Sequence, residues 1–523
     1  MALTKVTFSM IKQGFANPVD FGAVGNSTND DTAAVTAAIA TGLDVYVPMG
    51  YIFAITGNVT GFVNNQRIFG GGAFKKLGLT QTPLFLLPDQ SRNVWFDGVE
   101  FDGTIANFSP GNPVPAILGY ITYSLKVTGC YFHDIIDVGI KLRDGANLYA
   151  AGNTFYNVGE NGIELHNYTM DVRTGLPYVG TRPVIEGNHT IIGNRFEKIT
   201  RYENPLGPLV DATAVIFISA LGYPQKNVRV IGNVMIDCLR YVWTESNSPA
   251  PPSDGVVISG NTMECGVNGG TAQNIYGKAG IGIIGGKNVV ISDNTFKNIA
   301  NHNPVGTETA CIIVSGYVGS TNNIEIHGNS CVDDSGLADR TEWGIYVLIG
   351  NDVRIHNNYV SGVQNGDGIY LSPTNVTSST VYANRGTESN YSWNQIVPLV
   401  FALSNVPANA TSSTYPYNMT AFDDSMILPT GGRIVGVSAR LSTPITAGNL
   451  TVKTYGNAVE MANLQITTAD FAGTTNAFKR VGAMSNSLIE AGQPFRVAIQ
   501  TDAGFLPITD DIVVTVFIDI GPK

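Results

Sequence analysis

The chain has 523 residues, 44% hydrophobic and only 14% charged, with 59 glycines and a net charge of -11. This profile suits strands joined by many turns rather than helices with charged faces, and the acidic balance without a dense Lys/Arg tract excludes nucleic acid as a main partner. No apolar run is long enough to span a bilayer, and the opening MALTKVTFSMIKQ lacks the apolar core and cleavage site of a secretory signal, so neither a membrane partner nor export by that route is expected.

From the N-terminus, VDFGAVGNSTNDDTAAVTAAIATGLDVYVPMGYI reads as a short strand, a Gly-rich turn, a helix and a strand ended by Pro48. Asp30 or Asp31 is placed to cap the helix, whose Val35 and Ile39 fall on one face. Such a helix would cover the open end of the core that follows.

Between about residues 147 and 360 the segments YAAGNTF, TIIGNRF, VRVIGNVM, VVISGNTM, VVISDNTF, IEIHGNSC and VRIHNNYV recur, with LKVTGCYF and NVWFDGVEF extending the series upstream. Each copy is a short strand, then Gly-Asn or a near equivalent, then a large apolar residue. The asparagines are 153, 194, 233, 261, 294, 329 and 358. Asn tolerates the left-handed backbone of a sharp corner, and its amide can bond to stacked copies of itself. Phe132, Phe155, Phe196, Met235, Met263 and Phe296 are expected to stack in one continuous core.

A second strand follows each corner: VGIKL, NGIEL, AVIFI, AGIGII, ACIIV, WGIYV and DGIYL. Two or three strands per coil with irregular spacers predict a right-handed parallel β-helix rather than a propeller, whose blades need regular spacing. The longest spacers, HNYTMDVRTGLPYVGTRPVIEGNH, RYENPLGPLVD, TESNSPAPPSD and GVNGGTAQNIYGK, are expected to wall a cleft. Cys130, Cys238, Cys265, Cys311 and Cys331 are odd in number and lack C-x-x-C spacing, which predicts buried apolar fillers rather than a zinc site or disulfide framework.

Beyond about residue 398 the repeat stops, and GRIVGVSARL, NLTVKTYG, FRVAIQT and DIVVTVFIDI alternate as an antiparallel β-sandwich would. The expected division is an N-terminal arm over 1–17, a β-helix with its capping segment over 18–397, and a sandwich over 398–523.

Asp20 to Gly25 (Asp-Phe-Gly-Ala-x-Gly), Asp30 to Ala34 (Asp-Asp-Thr-x-Ala) and Tyr46 to Gly50 (Tyr-x-Pro-x-Gly) together resemble the N-terminal signature of pectate-lyase-like proteins. Within that superfamily, ALTKVTFSMI resembles the start of phage tailspike depolymerases, and the resemblance covers residues 1 to about 395. It is specific for fold and weak for reaction type. The resemblance implies an all-β, pectate-lyase-like right-handed β-helix with a short capping helix, and a C-terminal sandwich similar to those with which tailspikes clamp homotrimers or hold carbohydrate. It further implies a place in the virion, as part of the phage tail, acting outside the host on a bacterial surface polysaccharide such as capsule, exopolysaccharide or O-antigen. Many tailspikes begin with a large particle-binding domain, whereas this signature starts by about residue 18, which implies attachment through the phage tail or an adaptor protein, or else a shortened chain.

Aligned on the second strands, Asp137, Glu160 and Glu342 stand two residues before the Gly, and Glu308 holds the comparable place before ACIIV. Coils about 4.8 Å apart bring carboxylates one or two coils apart to the separations glycosidases use, about 5–5.5 Å for retention and 6.5–9.5 Å for inversion. The densest acidic patch beside the longest insertions, Glu160, Glu164, Asp211 and Glu245, is the candidate catalytic set. Mutual repulsion would keep one acid protonated while another stays ionised to activate water.

Arg143, His166, Tyr168, Arg201, Tyr202, Arg240 and Trp243 are candidate substrate-binding residues, since aromatic faces pack on sugar rings and Arg grips carboxylates. Core capping or loop support is the alternative for Trp243 and the tyrosines. His166 has no second His at ligand spacing, and no metal or cofactor is expected. A uronate lyase using Lys141, Arg143 and His166 is the second reading, and a glycan-binding spike without activity the third. A site between subunits would recruit Glu308, Glu342 or Asp367 instead.

Overall fold

The computed structural model describes residues 14–386, apart from 79–81, 105–114, 169, 172–175, 178–186, 200–213, 221, 239, 247–250, 266–278, 300–308, 317–319, 337–339, 365–367, 373–374 and 378, and from residue 396 onward mainly strands. The chain divides into two compact units, Met1–Tyr391 and Ser392–Lys523. In the first, three parallel sheets of 13, 14 and 10 strands advance in chain order, and successive coils each add a strand to them. The fold is all-β, with the architecture of a right-handed parallel β-helix.

The corners explain the repeat. The left-handed residue is the one before the repeated Asn: Gly152, Gly193, Gly232, Gly260 and Gly328 at φ 61 to 67, with Asp293 and Asn357 at 57 and 56 where Gly is missing. This corrects the expectation that the repeated Asn itself takes that backbone. Its role is the side chain. Asn153, Asn194, Asn233, Asn261, Asn294, Asn329 and Asn358 each donate Nδ2 to Oδ1 of the next, at 2.9 Å throughout, and Asn384 receives the last bond. Asn384 escaped the sequence pattern because Gly386, not a large apolar residue, stands two places on.

Each ladder amide also satisfies backbone that the corner would otherwise leave buried and unbonded. Asn233 donates to Ile191 O at 3.0 Å and to Asn261, while its Oδ1 accepts from the amide N–H and Nδ2 of Asn194 at 2.9 Å. Asn233→Ala strands several buried groups at once. It is expected to cost at least about 3 kcal/mol, read as a lowered urea midpoint at unchanged m-value.

Phe101, Phe132, Phe155 and Phe196 stack face to face with ring centroids 4.5, 4.6 and 4.7 Å apart, the spacing of neighbouring strands. The Gly of the second strand follows from this stack. A Cβ at Gly139, Gly162 or Gly280 would lie 2.7, 2.7 and 2.6 Å from ring atoms of Phe155, Phe196 and Phe296.

At the N-terminal end, the helix Thr32–Ala40 buries Val35, Ala38 and Ile39 in the same core, as expected. The carboxylate of Asp31 does not cap it. It accepts the N–H groups of Val24 and Gly25 at 2.7 and 3.0 Å, tying down the Gly-rich turn, while Asp30 Oδ1 accepts from Thr32 N at 3.0 Å. The expected first strand is instead a 3₁₀ turn, Pro18–Phe21, because Pro18 fixes the first position and Asn17 accepts from Val19 N. All five cysteines are free and buried, and burial pushes the Cys130 thiol up to about 12.

The second unit holds two five-stranded antiparallel sheets. Ile396–Val406 and Gly432–Leu441 flank Asp510–Asp519 in one; Val459–Thr467 and Pro494–Thr501 flank Asn449–Gly456 in the other. Among the described residues no helix is long and apolar enough to cross a membrane.

Candidate active site

The ten-stranded sheet carries the candidate site on the side away from the core. In Val138–Arg143 and Asn161–Asn167, Ile140, Leu142, Ile163 and Leu165 are fully or almost fully buried in the core. The intervening positions form two register columns. Lys141, Glu164, Phe217 and Trp243 follow one another in the first; Tyr120, Arg143, His166, Ser219 and Glu245 in the second.

Glu164 is the hub of an unusually buried polar cluster. Its side chain is 3% exposed, and Oε1 lies 3.0 Å from Lys141 Nζ, itself 10% exposed. Asn161 Nδ2 donates to Oε2 at 3.1 Å, and Asn161 Oδ1 accepts from Ala214 N, so the amide is fixed in orientation. Burial acts to strip the Lys141 proton, but Glu164, then Asp137 and Glu160, more than offset it and hold the ammonium above its usual range. Lys141 therefore stays protonated in its ion pair with Glu164.

His166 Nε2 also lies 3.1 Å from Glu164 Oε1, but off the line of a hydrogen bond, so the nitrogen lacks a well-directed partner. Nδ1 is 2.6 Å from Tyr168 OH. Burial drives the imidazole down to about 4, with Glu164 opposing and Lys141 and Arg143 assisting, so the ring is neutral at pH 7. Tyr168 is held in turn by its N–H, which donates to Asp144 Oδ1 at 2.8 Å.

Asp137 is 1% exposed, and neither of its oxygens accepts from an N–H or hydroxyl group. Its neighbour across the sheet is Glu160, one position before the Val138 and Asn161 register pair. Two carboxyl groups bond only if one is protonated. Burial first, then Glu160, raise the Asp137 carboxyl to about 9 against the opposing Lys141, so the pair carries a proton at neutral pH. Together these groups place a protonated carboxyl, an ion-paired carboxylate and a neutral imidazole on two adjacent coils. Unpaired buried polar atoms mark the same surface: His166 Nε2, Arg143 Nε and Ser219 Oγ.

Of the sequence candidates, the structure brings together Glu160, Glu164, Arg143, His166 and Tyr168. Glu245 lies two coils from Glu164 and in the second column, a backbone separation of roughly 12 Å. Trp243 lies on Gly282, where a Cβ would come within 2.1 Å of the indole, and the Arg240 guanidinium stacks on its ring at 4.4 Å. Glu342 bonds to Thr309. Asp211, Arg201, Tyr202, Glu308, Asp367 and most of the long spacers expected to wall a cleft lie outside the described residues. The candidate set omitted Asp137 and Asn161. Asp137 stands in the acid column two residues before the Gly, a signal the sequence carries, although the longest insertions lie on later coils.

For a metal, Asp102, His133 and Asp134 on the 13-stranded sheet offer ligand atoms within 4.8 Å of one another. The imidazole is already committed, with Nδ1 2.8 Å from Asp134 and Nε2 3.1 Å from Glu100. Despite burial, these carboxylates raise its basicity, which favours an ion-paired imidazolium over a ligand.

No family model and no curated protein matches the chain. Among solved structures, the catalytic unit of a thermostable alpha-1,3-glucanase from Streptomyces thermodiastaticus is similar at 16% identity and TM-score 0.48, over 72% of this chain and 70% of that one. The surface adhesin PfbA of Streptococcus pneumoniae is similar at 14% identity and TM-score 0.46, over 71% and 91%. The tailspike of E. coli bacteriophage HK620, solved with a hexasaccharide, is similar at 12% identity and TM-score 0.42, over 96% and 93%. These are similarities of fold.

Proposed function

We propose that the protein is an endo-glycosidase that cleaves a bacterial surface polysaccharide. The observation that carries this reading is the protonated Asp137/Glu160 pair beside the ion-paired Glu164. Glycoside hydrolysis needs one carboxylic acid and one carboxylate, kept apart in proton affinity by their surroundings. The proton of the pair passes to the glycosidic oxygen as the C–O bond breaks. Glu164, in its ion pair with Lys141, stabilises the positive charge on the sugar or takes a proton from the attacking water. Asp211 and Glu245 remain candidates for the second carboxylate, and Tyr168, Arg201, Tyr202, Arg240 and Trp243 for sugar contacts. The tailspike-like sequence of residues 1 to about 395 supports placing the activity on a virion, in a homotrimer joined to the phage tail or an adaptor protein.

A uronate lyase is the second reading, favoured by the neutral His166 as a base next to Lys141 and Arg143. The deciding experiment is digestion of purified capsular and O-antigen polysaccharides with analysis of the ends formed. New reducing ends without an ultraviolet-absorbing unsaturated sugar are expected. Unsaturated ends would replace hydrolysis with elimination, and intact polymer that still binds would leave a receptor-binding spike.

A further inference from the structure

We infer that Asn161 is a positioning residue, which holds the Glu164 carboxylate in one fixed orientation beside the Asp137/Glu160 pair. This rests on the hydrolytic reading of the same surface. Asn161 stands where the coil needs no polar side chain. It lies one position before the Gly of its strand, in register with Val138 on the preceding coil, and the same position on later coils is Ala279 and Ala310. At 1% exposed, a carboxamide there costs free energy unless its groups are bonded. Oδ1 accepts the Ala214 N–H at 2.9 Å, which only the amide oxygen can do, so Nδ2 is turned to Glu164 Oε2, 3.1 Å away.

Two donors thus hold the carboxylate, one at each oxygen. Lys141 Nζ, from the preceding coil, lies 3.0 Å from Oε1, and Asn161, three residues earlier on the same strand, takes Oε2. Their parts differ. An ammonium on a flexible stem is a point charge that tolerates many angles, so Lys141 balances charge without setting direction. A planar amide tied at its other end to the next coil does set it, and each carboxylate oxygen keeps a further lone pair for the sugar or the water. Asn161 also directly follows Glu160, so one residue links the carboxylate to the strand position that carries the acid pair. The separation of the two carboxyl groups decides how a glycoside is cleaved, and a misplacement of about 1 Å can cost about 10²-fold in rate.

The test measures kcat, KM and melting temperature of Asn161→Asp and Asn161→Ala against wild type from pH 5 to 8. In Asn161→Asp the Ala214 N–H keeps its acceptor, but an oxygen replaces the donor that faces Glu164 Oε2. At pH 8 its kcat should fall about 10²-fold, with KM changed less than about threefold. Two carboxyl groups in contact hold a shared proton above the ordinary carboxylate range, so toward pH 5 the new carboxyl donates in place of the amide, and the deficit should shrink about tenfold. Lys141, His166 and the Asp137/Glu160 pair are common to all three proteins, so the ratio to wild type isolates the substituted side chain. Asn161→Ala, whose size later coils accept at this position, should lose as much kcat at every pH and recover none. A pH-independent deficit in Asn161→Asp, or full kcat in Asn161→Ala, would overturn the role.

The contact itself is read without substrate. Relative to wild type, the melting temperature of Asn161→Asp should fall as pH rises from 5 to 8, because the folded pair holds a proton that the unfolded chain has released. If no polymer is cleaved, this slope upholds the amide's hold on Glu164 while the hydrolytic reading falls; its absence overturns that hold as well.

Discussion

Asp137→Asn is expected to slow polysaccharide cleavage by about 10²- to 10⁴-fold, the usual share of a positioned general acid, without destabilising the fold. The Asp137 carboxyl is buried and already uncharged at neutral pH, so an amide of the same shape removes the proton donor and little else. The pH dependence makes the prediction sharper. Between the ordinary carboxylate range and about 9, the folded protein holds a proton that the unfolded chain has released, so wild-type stability falls as pH rises through that window. The Asn variant has nothing to titrate there and should lose that slope, becoming the more stable of the two toward its upper end. Wild-type kcat should likewise decline as pH approaches 9, where the acid is lost. Initial rates of reducing-end release and melting temperatures from pH 5 to 9 read both effects. Full activity in Asp137→Asn would place the acid elsewhere on this sheet.

Glu164→Gln carries the second large effect, and here activity and stability should fall together. Glu164 and Lys141 are 3% and 10% exposed, and removing one charge leaves the other buried and uncompensated, at a cost of up to about 3–5 kcal/mol. Adding Lys141→Met is expected to recover most of that stability but none of the activity. The double variant therefore separates the two roles of the carboxylate. Recovery of cleavage along with the melting temperature would mean that Glu164 only balances Lys141. Persistent inactivity in a stable double variant keeps it in the reaction.

The element pattern was legible because it is local. A left-handed corner, an amide that bonds to its own copy and an aromatic ring two places on recur in sequence, and each makes its nearest contacts with the next copy of itself. Glu164 and Arg143 were legible as acid and base at repeat positions. What could not be read was protonation. Lys141 stays protonated because Glu164 lies across one strand gap, and Asp137 is neutral because burial and Glu160 oppose its charge. Lys141 and Glu164 are 23 residues apart, and no spacing rule says that this pair closes as an ion pair while Arg143, offset from His166 by the same number, lies against the rings of Tyr120 and Tyr168. The repeat thus determined the coils, the stacked core and the sheet that bears the acids, since those depend only on each coil meeting its neighbour. The tertiary structure alone decided which carboxyl holds a proton and which cation is locked in a buried ion pair, because both depend on burial and on charges a coil away.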